Sequence, residues 1–204
     1  MLVQISINKQ KQGGNKMENI TVQKRDLSVK PKKLRRLGLV PGSVFGKSMP
    51  ETISIQLEES VARKLYRQKR EGSKLSLNID GEIIPVQIKE KTLNMLNDEI
   101  LDISFQALIA DEKVNSVVHI FLANDEKIAG QLERMLLEIP YASLPEYMID
   151  TITIDLDGMK TGTVLAVKDI PELMSDKIEL QIDSDEIVLR ISEKARHAVT
   201  PTEE

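Results

Sequence analysis

Neither cysteine nor tryptophan occurs in the 204 residues, and aromatic side chains make up only 3 % of them. Without cysteine there is no disulfide, no thiolate nucleophile and no thiolate-ligated metal, which fits a reducing compartment. Without tryptophan, a core has to be built from Ile, Leu, Val and Met. Long apolar runs are missing too: none approaches the roughly 18 residues that a membrane span needs. The chain is therefore read as soluble and cytoplasmic, with no membrane partner. Histidine is scarce, and His119 and His197 stand without a clustered carboxylate, a metal-ligand spacing or a serine-elbow motif nearby. Gly13-Gly14 lacks the Lys-Ser or Lys-Thr that would make it a phosphate loop. No catalytic residue, metal, cofactor or small-molecule substrate is expected, and the chain is not read as an enzyme. His119 is read as a satisfied strand residue.

What is present is enough apolar surface for a core, 41 % of residues, and a charged share of 29 % that is unevenly distributed. The net charge of −4 divides into +3 for residues 1–16, +4 for residues 17–106 and −11 for residues 107–204. Between Val22 and Arg70 stand thirteen Lys or Arg against four Asp or Glu. A basic front half attracts phosphate backbones. An acidic back half cannot lie against RNA, so a nucleic-acid partner should meet the front half alone.

The steepest imbalance lies in Lys30 to Gly46, KPKKLRRLGLVPGSVFG. Lys32, Lys33, Arg35 and Arg36 sit on one short predicted helical turn that Gly38 closes, and the chain enters a strand through Pro41-Gly42. So short a helix cannot stand alone, because nucleation is costly and few backbone bonds form. Leu34 and Leu37, at i and i+3, are the predicted docking face, and the cations between them point away. Two readings are open for them, a solvated basic face or a surface for a polyanion.

Alternation predicts strands over Glu18 to Lys24, Ser43 to Gly46 and Thr52 to Leu57. A helix follows, with Val61 and Leu65 on its apolar face, acidic residues in its first turn, basic ones in its last, and Gly72 at its end. Leu75 to Ile79 and Glu82 to Lys89 flank Asp80-Gly81, a two-residue hairpin signal, and Ile100 to Phe105 is a further strand. Residues 17–106 are thus expected to form a six-stranded β-barrel with two helices. Beyond Gln106, Val117 to Ala123 and Thr151 to Leu156 read as strands, and Lys177 to Ile182 with Glu186 to Ser192 as a hairpin around Asp183-Ser184-Asp185. Asn124 to Ile139 fits either a helix capped by Asn124 or a pair of strands. The fold class expected is mostly β with a few helices (α+β): a barrel, an acidic β-rich domain over residues 107–192, and a disordered tail over residues 193–204.

KKLRRLGLVPGSVFG resembles the basic-turn, Pro, small-residue and aromatic-Gly signature of bacterial large-subunit ribosomal protein twenty-five, whose longer members form the general stress protein CTC family. The order of strand, basic turn, VPG, strand, helix, DG hairpin and terminal strand is similar to that family throughout residues 17–106. IPYASLPEYMIDTITIDLDGMKTGTVLAVKDI resembles its acidic C-terminal domain. The resemblance implies a ribosomal protein that binds 5S ribosomal RNA through the barrel, with neighbouring ribosomal proteins as further partners and a link to stress. An RNA-binding module acting off the ribosome, of tRNA or RNA-chaperone type, is the alternative. On the family pattern Arg25, Lys32, Lys33, Arg35 and Arg36 would face phosphate. Lys47, Lys89, Gln87 and Ser104 complete the polar candidates. Phe45 stands where the family carries Tyr, either packing or stacking. The last strand of the barrel reads Asp102-Ile103-Ser104-Phe105 where the family has His, apolar, Asp, Phe, so Asp102 brings a carboxylate towards phosphate, which is repulsive.

Residues 1–16, MLVQISINKQKQGGNK, lack the apolar core and cleavage site of a signal peptide. Gln12-Gly13-Gly14 back-translates to a purine-rich ribosome-binding sequence placed shortly before Met17, which points to Met17 as the biological start and to a translated leader. The intact mass of the native protein is expected to correspond to a chain beginning at Met17, and a mass that includes Met1 contradicts this.

Overall fold

Residues 18–47 and 49–193 are described by the computed structural model. The expected leader over 1–16, the start at Met17 and the tail beyond Glu193 lie outside the described residues. In the front half the elements are β1 (Asn19–Lys24), α1 (Pro31–Arg36), β2 (Leu39–Phe45), β3 (Ile53–Glu58), α2 (Glu59–Gln68), β4 (Lys74–Ile79), β5 (Glu82–Asn94) and β6 (Glu99–Ala107). The six strands close into a barrel in the order β1-β3-β2-β6-β5-β4, completed by parallel pairing of β1 with β4. Strand alternation drives this closure: Val44, Ile55, Leu77, Ile88, Ile103 and Phe105 point inward and are buried. Asp80 and Gly81 take φ values of 53° and 94° at the tip of the β4–β5 hairpin, the left-handed conformation its two-residue turn requires.

Three local expectations change. Leu34 alone docks α1, since Leu37 is 65 % exposed. The helix stops at Arg36, and the Leu37 N–H turns back to Leu34 O at 2.9 Å. Gly38, at φ 76°, then bends the chain off the helical path. Pro41-Gly42 lies inside β2 rather than at its entrance. The proline is tolerated because pairing with β6 begins only at Gly42. Residues 90–94, beyond the strand end expected at Lys89, continue β5, which absorbs two register shifts against β6.

The back half contains β7 (Val114–Ala123), β8 (Gln131–Arg134), β9 (Glu138–Ser143), β10 (Thr151–Asp155), β11 (Val164–Ala166), β12 (Ile178–Leu180) and β13 (Ile187–Ser192). They form a sheet in the order β10-β7-β9-β12 and a second in the order β11-β13-β8. Asn124 to Ile139 resolves into one 3-10 turn (Asp125–Lys127) followed by β8 and the start of β9: Asn124, at φ 59°, precedes the turn without a side-chain cap, and its amide donates to Asp155 Oδ1 at 2.7 Å. The hairpin expected over 177–192 does not form. β12 pairs with β9 and β13 with β8 and β11, because each strand finds its apolar partner in a different sheet. Between the sheets, the hydroxyl of the fully buried Tyr141 donates to Ile149 O at 2.9 Å and accepts from Ile149 N at 2.7 Å.

The two halves meet along a polar seam. Lys74 Nζ donates to Pro145 O at 2.6 Å, and Gln87 Nε2 donates to Gln106 Oε1 and to Asn115 O, at 3.0 and 3.1 Å. His119 Nε2 lies 2.9 Å from Glu71 O, and because a carbonyl only accepts, this nitrogen carries the proton. The Arg70 guanidinium stacks 4.5 Å from the Phe121 ring centroid. Burial pushes the Asp150 carboxyl above the usual range, opposed by Lys74, Lys69 and His119 around it. Gly72 holds φ 82° at this seam, and a Cβ there would sit 2.6 Å from Ser116 Oγ and 2.9 Å from Val117 O. Gly72→Ala is expected to cost more than about 1 kcal/mol, combining left-handed backbone strain with a clash across the seam. Denaturant midpoints of the two proteins measure it, and an unchanged midpoint contradicts the close packing described.

Candidate nucleic-acid interface

Because strands alternate, the residues between the barrel's inward positions build its outer face, and the pairing registers arrange them in rows. One row runs Arg25, Ser54, Ser43, Ser104, Glu90 across β1, β3, β2, β6 and β5: the Arg25 N–H meets Ser54 O, Ser43 pairs with both Ser54 and Ser104, and Ser104 pairs with Glu90. The next row has two parts, Gln23, Gln56 and Pro41 across β1, β3 and β2, and Asp102 and Thr92 across β6 and β5, set next to each other by the adjoining Gly42–Ile103 pair. The third places Phe45 beside Gln106 and Gln87. At roughly 4.8 Å per strand the rows extend about 20 Å. Three serines abreast leave the middle of this face low in relief, with hydroxyls able to donate or accept.

α1 stands beside the face. Lys30 holds the extended N-cap position and Pro31 occupies the first helical turn, where its missing N–H costs nothing. Lys32, Lys33 and Arg36 are exposed and form no salt bridge among the described residues. Arg35 behaves differently. Its side chain is 16 % exposed, its Nε lies 3.0 Å from Glu99 Oε1, and it leans towards Leu101 O. The Arg35 guanidinium holds the Glu99 carboxyl below the usual carboxylate range, with help from the Asn97 amide and Lys32. Arg35 thus ties α1 to the start of β6 instead of offering itself to a ligand.

Arg25 is half-buried at the end of β1, where its guanidinium donates to Val29 O at 3.0 Å and shapes the loop leading into α1. Asp102, half-buried in the second row, forms no hydrogen bond or salt bridge among the described residues. Burial pushes its carboxyl up, the neighbouring Glu90 adds to this, and Arg25 opposes both. Phe45 is half-buried on the outside of β2, so it is not a barrel-core aromatic; Phe105 is. Lys89 is exposed on β5. Lys47 is exposed and ion-paired with Glu112 of the connection into the back half.

Gln87 corrects the sequence reading. It is only 1 % exposed and lies beneath the back half, so it is not part of the open face. The structure brings Arg25, Asp102, Ser104 and the free cations of α1 to one side of the barrel and leaves Gln87 out. Sequence reasoning missed Ser43, Ser54, Gln23, Gln56 and Thr92. The alternation that puts Val44 and Ile55 inside the barrel would, applied to β2 and β3, have nominated the two serines.

Residues 20–105 match the Ribosomal L25p family, and residues 113–195 match the family described as ribosomal protein TL5, C-terminal domain. Among similar proteins, one from Thermosipho africanus, named large ribosomal subunit protein bL25, is 30 % identical over 170 residues, covering 79 % of this chain and 77 % of its own. Proteins of the same name from Listeria monocytogenes (serotype 4b) and Thermoanaerobacter sp. (strain X514) are each 26 % identical, over 90 % and 86 % of this chain and 90 % and 89 % of theirs.

The division of labour on α1 has a measurable consequence. Arg36→Ala is expected to change stability by less than about 0.5 kcal/mol, as exposed substitutions do, whereas Arg35→Ala is expected to lower it by about 1–2 kcal/mol by cutting the tie to Glu99. Equal thermal midpoints for the two variants contradict this.

Proposed function

We propose that this chain, which belongs to the ribosomal L25p family, is a protein of the large ribosomal subunit that binds 5S ribosomal RNA through the outer face of its barrel. The relatives carry names of ribosomal proteins, not of enzymes, in keeping with a chain that works by binding. The observation that carries the reading is the pairing of a flat polar sheet face with an adjoining helix whose cations Lys32, Lys33 and Arg36 are left free.

These two surfaces divide the work. The helix cations meet phosphates, which supply affinity and position without sequence information. The serine and glutamine rows suit the wide, shallow minor groove of RNA, where hydroxyls and base edges lie within reach of short side chains. Asp102 and Glu90 repel phosphate, so the backbone is steered towards α1 and away from the middle of the face. Arg25 acts within this scheme by forming the loop that presents α1, and Arg35 by anchoring the helix. Lys89 is free to meet phosphate at the margin, and Phe45 offers an apolar edge beside Gln106. Lys47 has to leave Glu112 before it could bind. The acidic back half, held on the far side of Gln87, is the surface for neighbouring ribosomal proteins.

A salt-series titration of the intact protein against bacterial 5S ribosomal RNA and a length-matched control RNA tests the reading. Preference for the 5S RNA is expected, with Lys32→Ala, Lys33→Ala and Arg36→Ala each reducing the slope of log K against log salt by roughly 0.7–0.9. Equal weak binding to both RNAs overturns it, and selective binding of tRNA would place the protein off the ribosome.

A further inference from the structure

The open face carries two carboxylates, Glu90 and Asp102, with no protein partner among the described residues, and Asp102 is the half-buried one. Asp102 sits in the second row beside Thr92, half-buried, with no hydrogen bond or salt bridge among the described residues. The neighbouring cations are engaged elsewhere. Arg35 is held by Glu99, Lys91 Nζ donates to Tyr66 O and Lys69 O, and Arg25 donates to Val29 O through one terminal nitrogen while its Nε is buried without a hydrogen bond among the described residues. Arg25 is close enough to attract Asp102, but Glu90 repels it, and burial adds to the cost of the charge.

An ionised carboxylate only accepts hydrogen bonds. Against RNA, whose backbone is itself an array of anionic acceptors, such a group gains only where the RNA presents a donor. In the minor groove the base-edge donor is the 2-amino group of guanine, since adenine, uracil and cytosine show only acceptors there. The serines and glutamines around Asp102 can serve as donor or acceptor and adapt to either partner; the carboxylate cannot. Such a fixed acceptor discriminates.

We propose that Asp102 selects guanine, accepting a hydrogen bond from the 2-amino group of one guanosine laid over the second row of the barrel face. The selection rests on the reading that this face binds RNA. The cations of α1 set the register on the phosphates, and Asp102 then rewards a guanine at one position and leaves an unpaired, half-buried charge against any other base. A carboxylate is suited to this because a lost hydrogen bond to a charged group costs more than one between neutral groups.

Inosine, which is guanosine without the 2-amino group, provides the test. Full-length protein is equilibrated with bacterial 5S ribosomal RNA carrying inosine at random guanosine positions, and the bound and unbound pools are mapped. Wild type is expected to deplete inosine roughly tenfold in the bound pool at one position, the size of a hydrogen bond to a charged group. Asp102→Ala should abolish the depletion while keeping the salt slope set by α1, and Asp102→Asn, which retains an acceptor oxygen, should preserve a weaker depletion at the same position. An inosine pattern identical in wild type and Asp102→Ala overturns the selection and leaves RNA binding standing. So does a contact of Asp102 that is sensitive to 2′-deoxy substitution and not to inosine. Wild type that fails to prefer the 5S RNA over a length-matched control overturns both the selection and the reading beneath it.

Discussion

The parallel contact between β2 and β6 is the constraint on which the rest of the binding half depends. A Cβ at position 42 would lie 2.6 Å from Ile103 O and 3.3 Å from side-chain atoms of Ile55 and Leu57. Glycine there lets two backbones approach far enough to hydrogen-bond, and that contact together with the β1–β4 pairing closes the six strands into a barrel. Closure in turn puts Ser43 beside Ser104 and Gly42 beside Ile103, residues about sixty positions apart in the chain. The polar face is therefore a product of barrel closure and has no existence in either strand alone.

Charge on this protein is sorted by engagement more than by abundance. Arg35, Arg63, Lys64, Lys69 and Lys47 belong to the basic half and all meet carboxylates, so they stabilise or tether the fold. Exposed pairs of this kind contribute little each, but they remove those cations from the pool available to a ligand. Lys32, Lys33 and Arg36 keep their charge unpaired on a helix too short to persist without Leu34 beneath it. Anchoring by one apolar and one ionic side chain, Leu34 and Arg35, is what gives three free cations a fixed direction.

Much of the fold was legible because it rests on local signals. Alternation marked β1, β3, β6 and β10, and Asp80-Gly81 marked the β4–β5 hairpin. What escaped depends on distant partners. Leu37 carries the right spacing for a docking residue, yet Gly38 turns the chain before that face can form. Gln87 has the outward parity of a ligand-facing residue, and only the arrival of Asn115 over it shows otherwise. The segments 177–182 and 186–192 have the lengths and the turn of a hairpin, but their apolar faces are claimed by β9 on one side and by β8 and β11 on the other. Arg35 and Arg36 are chemically alike neighbours, and nothing short of the position of Glu99's carboxylate tells them apart.

 The tie that separates them is the contact of Arg35 with Glu99, more than sixty residues away in sequence.

The polar seam between the halves also has an electrical consequence. Residues 17–106 carry +4 and residues 107–204 carry −11, and the contacts of Lys74, Gln87, His119 and Arg70 lock the two against each other. A positive body held firmly to a negative one is a permanent molecular dipole. In the field of a polyanion such a dipole experiences torque as well as attraction, so within about one Debye length of contact, roughly 30 Å at 0.01 M salt, the protein would turn to present its barrel first. The acidic half would thereby act as a vane that orients any approach to such a field.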